Sequence, residues 1–106
     1  MGILDLFQKQ DFDRELERVR RTPGAVVLDV RTATEYAAGH VPGSRNLPLD
    51  QVETATLERA PLFVYCRSGA RSGRACAILE RRGYQAVNLG GILRYHGELE
   101  MGGETA

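Results

Sequence analysis

The residues best placed to do chemistry in this 106-residue chain begin at Cys66. It ends the apolar run Leu62-Phe63-Val64-Tyr65-Cys66 and opens the loop Arg67-Ser68-Gly69-Ala70-Arg71-Ser72, after which a helical pattern starts. That order puts a thiol at the carboxyl end of a strand, opposite a helix N-terminus and between two arginines. Each of these favours thiolate over thiol. A loop of this length lets successive backbone N–H groups curl inward as an anion nest. Gly69, at its middle, permits a backbone conformation that other residues resist. No neighbouring histidine base is then needed to activate the sulfur. The competing reading is an inert cysteine at the end of a buried strand. The coincidence of strand end, glycine, paired arginines and helix start favours the reactive one.

The elements that must position this loop alternate along the chain. Asp11 caps a predicted helix that runs to about Arg21, with Phe12, Leu16 and Val19 on one face, and Thr22-Pro23-Gly24 stops it. Ala25-Val26-Val27-Leu28-Asp29-Val30 is a continuous apolar run suited to a strand covered on both sides. Thr32-x-x-Glu35 predicts a capping box on a short helix ending at Gly39. His40-Val41-Pro42-Gly43 is a turn, Arg45-Asn46-Leu47-Pro48 adds a brief extended piece, and Asp50-x-x-Glu53 caps another short helix. The run from Leu62 to Cys66 is the second strong strand. A helix over 72–82 follows, with Ala75, Ile78 and Leu79 inward, Arg81 and Arg82 in its last turn and Gly83 just past its end. Ala86-Val87-Asn88-Leu89 is a further short strand. Gly90-Gly91 breaks it, a helical turn follows to Tyr95, and the tail from Met101 is frayed. Strands alternating with helices predict a single α/β domain, a parallel sheet with helices on both faces. Sites in such sheets sit at the carboxyl ends of strands, where Cys66 falls.

Composition bounds the function. Fourteen basic residues balance fourteen acidic ones. A zero net charge argues against a whole-surface nucleic-acid binder. Only Lys9 among the basic residues is lysine. Arginine is the better fork for oxyanions, so Arg67, Arg71 and Arg74 close together in sequence matter more than the total. Two cysteines do not make a disulfide framework, and Cys76, in the second turn of the predicted helix, points away from Cys66. No stretch approaches a membrane span. Residues 1–7 lack the basic region and long apolar core of a secretory signal, and Leu6 stands where a myristoylation site wants Ser or Thr. Residues 3–7 are expected to form a small apolar patch packed on the domain. A reducing cytoplasm is the expected location and suits a free reactive thiol.

Other polar residues read as structural. Asp29 accepts hydrogen bonds at a strand end and Arg31 pairs with a nearby carboxylate, in preference to an acid–base pair. Glu35 is explained by its capping box. His40 is a loop-fixing hydrogen-bond partner and His96 is exposed. Neither has companions at metal-ligand spacing, so no metal site is expected. Cys76 is a core residue with no resolving role.

At these residues the chain resembles the rhodanese family of sulfurtransferases in its single-domain form. The loop 66–72 is similar to that family's six-residue active-site loop. Asp29-Val30-Arg31 with Glu35-Tyr36, then Gly39-His40-Val41-Pro42-Gly43-Ser44 and Asn46-Leu47-Pro48, match its other signature segments, and Gly83-Tyr84 and Val87-x-Leu89-x-Gly91-Ile92 match its later part. The resemblance covers roughly residues 10–100 of one domain spanning 1–106. Three ordered motifs at compatible spacing are far more specific than the loop alone. Tyr95 stands where many relatives carry Trp, as a core contact. The resemblance implies that Cys66 takes the outer sulfur of thiosulfate or a persulfide donor, becomes a persulfide, and passes the sulfur to cyanide, a small thiol or a protein thiol by double displacement. It implies Arg67, Ser68, Gly69, Ala70 and Arg71 as the donor-binding loop and Asp29, Arg31 and Ser72 as support. No metal or organic cofactor is implied, and a monomer or weak dimer is expected.

Two rivals remain at this point. A cysteine phosphatase or arsenate reductase uses Cys-x5-Arg, but here Arg71 gives Cys-x4-Arg, Ser72 stands six after Cys66, and Tyr65 replaces the usual histidine. The shorter loop suits one sulfur atom better than phosphate. A non-catalytic rhodanese-like module generally lacks the cysteine or has a disrupted loop, and this chain keeps both.

Overall fold

The computed structural model describes residues 3–103, with side chains described from Phe12 onward. Four strands, β1 (Val26–Asp29), β2 (Arg45–Asn46), β3 (Leu62–Cys66) and β4 (Ala86–Gly91), form one sheet in the order β2-β1-β3-β4. All neighbours run parallel. Three helices, α1 (Ile3–Arg20), α2 (Ala33–Ala38) and α3 (Ala70–Arg81), and two 3-10 turns, Leu49–Gln51 and Ile92–Arg94, connect and cover it.

The two faces are divided by the period-2 alternation of the strands. Phe63 and Tyr65 of β3 pack with Phe12 of α1, Val27, Val41 and Leu89. Leu62, Val64 and Cys66 point the other way, into a cluster with Ala75, Cys76 and Leu79 of α3. The position of Cys66 in the strand therefore places its sulfur on the face that α3 covers. Both faces of the sheet are buried, which is why β1 and β3 read as unbroken apolar runs.

Several expectations need correction. Asp11 lies inside α1, which already begins at Ile3. The proposed apolar patch at residues 3–7 lies outside the residues whose side chains are described. Asp50 is no cap: the turn Leu49–Gln51 is preceded by Pro48 and has no side-chain cap bond. Helix α3 begins at Ala70, two residues before the predicted start, because Gly69 serves as its N-cap in a left-handed conformation (φ 109°) and offers no side-chain signal. Gly90 and Gly91 do not break β4. A register shift after Val64 skips Leu89, and Tyr65 and Cys66 then pair with Gly90 and Gly91.

The tail is docked as far as it is described. His40 and Glu100 exchange backbone hydrogen bonds at 2.8 Å each, and the Gly102 N–H donates to the Ala37 carbonyl at 2.8 Å. The capping box on α2 and the glycine past α3 stand as predicted. Among the described residues no helix is long and apolar enough to cross a membrane.

Candidate active site

Cys66 is the last residue of β3, and residues 67–69 bend back over it before α3 begins. The Gly69 N–H donates to Cys66 Sγ at 3.0 Å. Ser72, in the first turn of α3 and fully buried, places its Oγ 3.4 Å from the same sulfur. Burial is the largest single influence on the thiol and raises its pKa. The Ser72 hydroxyl and the backbone N–H groups of Ser72, Gly69 and Ser68 together overcome it, and the pKa lies below the ordinary thiol value. Cys76 has no such donors: burial, with Glu80 nearby, pushes it up to about 11. The two thiols share one core cluster and are oppositely tuned, and both are free.

The loop is held by residues that come from β4. Asn88 Oδ1 accepts from Ser72 Oγ at 2.7 Å and from the Gly90 N–H at 2.9 Å, while its Nδ2 reaches the Gly69 carbonyl at 3.4 Å. The single hydroxyl hydrogen of Ser72 thus has Asn88 as its closest acceptor. When Cys66 is a thiol, its S–H can donate to Ser72. When it is a thiolate, the Ser72 hydroxyl must turn to the sulfur. A Cβ on Gly91 would run into the Arg67 carbonyl and lie 2.6 Å from Ser68 Cα, so only glycine admits the loop there. Asn88 and Gly91 were not among the predicted site residues. The available signal for Asn88 was a lone polar residue in an apolar strand, whereas the pairing of Gly91 with Cys66 lies in the strand register alone.

The arginines lie differently from expectation. Arg71 does not close over the sulfur. It forms a two-pronged ion pair with Glu35 of α2, at 2.8 and 3.1 Å. This hydrogen bonding is the chief reason the Glu35 carboxyl is lowered to about 2. Glu35 therefore does more than cap a helix. A thiolate at Cys66 would also favour the charged form of Arg71, after the larger effect of Glu35. Arg67 is exposed, pairs with no described residue, and touches the site through its carbonyl, which accepts from the Leu93 N–H at 3.3 Å. Ala70 opens α3 and is exposed.

Asp29 and Arg31 support the neighbouring strand end. Arg31 Nε lies 3.0 Å from each Asp29 carboxylate oxygen and Nη2 is 2.6 Å from Oδ2. Nη2 also donates to the Gly39 carbonyl at 2.7 Å. Both side chains are buried, so the pair joins β1 to the turn after α2. Asn46 Nδ2 donates to the carbonyls of Asp29 and Arg31 at 2.9 and 3.0 Å. His40 fixes the turn as expected, its Nδ1 lying 2.8 Å from the Tyr36 carbonyl and its ring stacked on Tyr36. His96 is exposed and pairs with Asp13. Tyr95 makes its expected core contact, a tilted ring pair with Phe12 at 5.7 Å. Among the described residues no three His, Cys, Asp or Glu side chains cluster as metal ligands would.

A parallel α/β sheet with a lowered-pKa cysteine in an amide-lined loop at a strand end is built to present a nucleophilic sulfur. The Rhodanese-like domain family model matches residues 11–98. The chain belongs to that family. The protein YqhL of Bacillus subtilis, described as uncharacterized, is 36% identical over 81 residues, covering 72% of this chain and 64% of its own length. A protein named sulfurtransferase from Allochromatium vinosum is 38% identical over 84 residues, covering 74% of this chain and 78% of its own. The solved structure of a rhodanese with anions from E. coli superposes with a TM-score of 0.67 at 30% identity, covering 74% of this chain and all of that one.

Proposed function

We propose that this chain, acting as a single domain over residues 1–106, is a sulfurtransferase that moves a sulfane sulfur from thiosulfate or a persulfide donor to a thiophilic acceptor through a persulfide on Cys66. The observation that carries the reading is the Gly69 N–H 3.0 Å from Sγ, with the Ser72 hydroxyl beside it. Donors that lower the thiol's pKa ease its ionisation and lessen the need for a separate base. The Cys66 thiolate attacks the outer sulfur of thiosulfate, the donor S–S bond breaks, and sulfite leaves with the electron pair. The new terminal sulfur inherits the inward N–H groups of Ser68, Gly69 and Ser72. An acceptor (cyanide, a small thiol or a protein thiol) then attacks that sulfur, and Cys66 leaves as thiolate. Ala70 helps to frame the loop, Arg67 and the Glu35-paired Arg71 line its mouth where the donor enters, and Asp29, Arg31 and Ser72 hold the frame. The chemistry uses no metal or organic cofactor, suits a reducing cytoplasm, and needs no more than a monomer or weak dimer.

Intact-mass analysis after thiosulfate treatment tests this. The protein should gain one sulfur atom, lose it to cyanide, and gain none as Cys66→Ala. Appreciable turnover of a generic aryl phosphate, with no mass gain from thiosulfate, would instead favour phosphatase chemistry.

A further inference from the structure

Arg71 does not stand free at the cysteine loop. Its Nη1 and Nη2 donate to Glu35 Oε1 and Oε2 at 2.8 and 3.1 Å. Glu35 is itself fixed: its Oε1 accepts the Thr32 N–H at 2.9 Å, and its own N–H donates to Thr32 Oγ1 at 3.2 Å. The carboxylate is built into the first turn of α2 and cannot swing aside without undoing that cap. Asp29 and a Cys66 thiolate also act on Arg71, and Asp29 and Glu35 both act on Arg31. Two carboxylates, Glu35 and Asp29, thus already pair the guanidiniums of Arg71 and Arg31 before any donor arrives. Arg67 adds positive charge only on the solvent side, where it is screened.

We propose that Glu35 sets the charge class of the sulfur donor: by neutralising Arg71 it disfavours a dianion and tunes the loop mouth to singly charged or uncharged donors of sulfane sulfur. The proposal rests on the persulfide reading above. The donor class that fits is a thiol hydropersulfide, RS–SH. The Cys66 thiolate attacks its outer sulfur, the RS–S bond breaks with its electron pair on the departing thiolate RS⁻, and Cys66 carries S–SH. A thiosulfate dianion reaches the same covalent state, but it must approach a cluster whose positive charge is already matched. Glu35 is in this sense a positioning residue. It touches Arg71, and Arg71 carries its influence to the donor.

The test compares thiosulfate with methanethiosulfonate, which carries its sulfane sulfur on the same kind of sulfonyl centre with one charge fewer. The readout is the ratio of kcat/KM for the two donors, so their different intrinsic reactivities cancel between variants. Glutamine also completes a capping box. Glu35→Gln therefore removes the charge and keeps the helix start, and thermal unfolding verifies that. Glu35→Gln should raise the thiosulfate-to-methanethiosulfonate ratio roughly fivefold, the scale of a partly exposed ion pair. Arg71→Ala, which leaves Glu35 unpaired at the mouth, should lower it by a similar factor, and the double variant should return close to wild type. A double variant no better than Arg71→Ala alone would mean that Arg71 acts on the donor whatever Glu35 does, and the proposal fails. A ratio unchanged or lowered in Glu35→Gln also overturns it. No mass gain on wild-type Cys66 from either donor would remove the persulfide reading. A persulfide that forms while the ratio stays fixed removes only the assignment to Glu35.

Discussion

Gly91 faces Cys66 across the β3–β4 ladder, and the backbone of Arg67 and Ser68 fills the space a side chain on Gly91 would need. The strand opposite the nucleophile is in this way part of the mould for its loop. Gly91→Ala must push the loop outward, away from the sulfur. We expect a loss of ~1–3 kcal/mol from overpacking, a higher Cys66 pKa and slower persulfide formation. Denaturant unfolding and the pH dependence of alkylation by iodoacetamide measure these. Unaltered alkylation would mean the loop keeps its shape without this glycine.

Ser72→Ala removes the side-chain donor nearest the sulfur and leaves the amides of Ser68, Gly69 and residue 72 in place. The Cys66 pKa should rise, though less than if the loop itself were lost. The alkylation profile should move to higher pH by the same amount as the profile for sulfur transfer. A part-buried hydrogen bond to Asn88 also disappears, so stability should fall by ~1 kcal/mol.

Folding stability should carry the same signature. The folded Cys66 gives up its proton below the ordinary thiol value of about 8.5. Relative to Cys66→Ala, the native state should therefore gain stability as pH rises from the folded value toward 8.5, keep it above, and lose it as pH falls through the folded value. Cys76 works in the opposite sense. Its pKa of about 11 penalises the native state once an unfolded thiol would ionise. The comparison belongs in a Cys76→Ala background, which should itself leave sulfur transfer intact. Unfolding curves between pH 6 and 9 that stay parallel for the two proteins would contradict a stabilised thiolate.

Asp29→Asn should be costly although Asp29 touches no reacting atom. It leaves the buried Arg31 guanidinium without its counter-charge, and ~3–5 kcal/mol is the usual scale of that loss. Methyl probes of the β1 end and the α2 turn should broaden, while the alkylation profile of Cys66 should shift little in whatever fraction stays folded.

What could be read from residue order was mostly local. Strand β3 and the loop after it were legible because an apolar run, a glycine and a helix start are contiguous. The capping box of α2 was legible because its two halves are three residues apart. Other features depended on partners distant in sequence. Glu35 and Arg71 are separated by 36 positions, and no spacing rule brings them together. Gly90-Gly91 looked like a break because glycine pairs interrupt strands, and only the register shift beside Tyr65 shows why the ladder continues. Asp11 looked like a cap because Asp favours helix starts, yet the helix runs through it. The start of α3 was hidden because its N-cap acts through backbone conformation and not through a side chain.

The antiparallel bridge between His40 and Glu100 reaches beyond the turn it fastens. Helix α2 has only six residues, about 9 Å of rise, too few to persist unaided. It is clamped at one end by Thr32 and at the other by the returning segment, whose Gly103 lies against the rings of Tyr36 and His40. The carboxyl-terminal segment is therefore a splint for the helix that carries Glu35. Whatever loosens that splint loosens the grip on Arg71, and a disturbance far along the chain is felt at the sulfur.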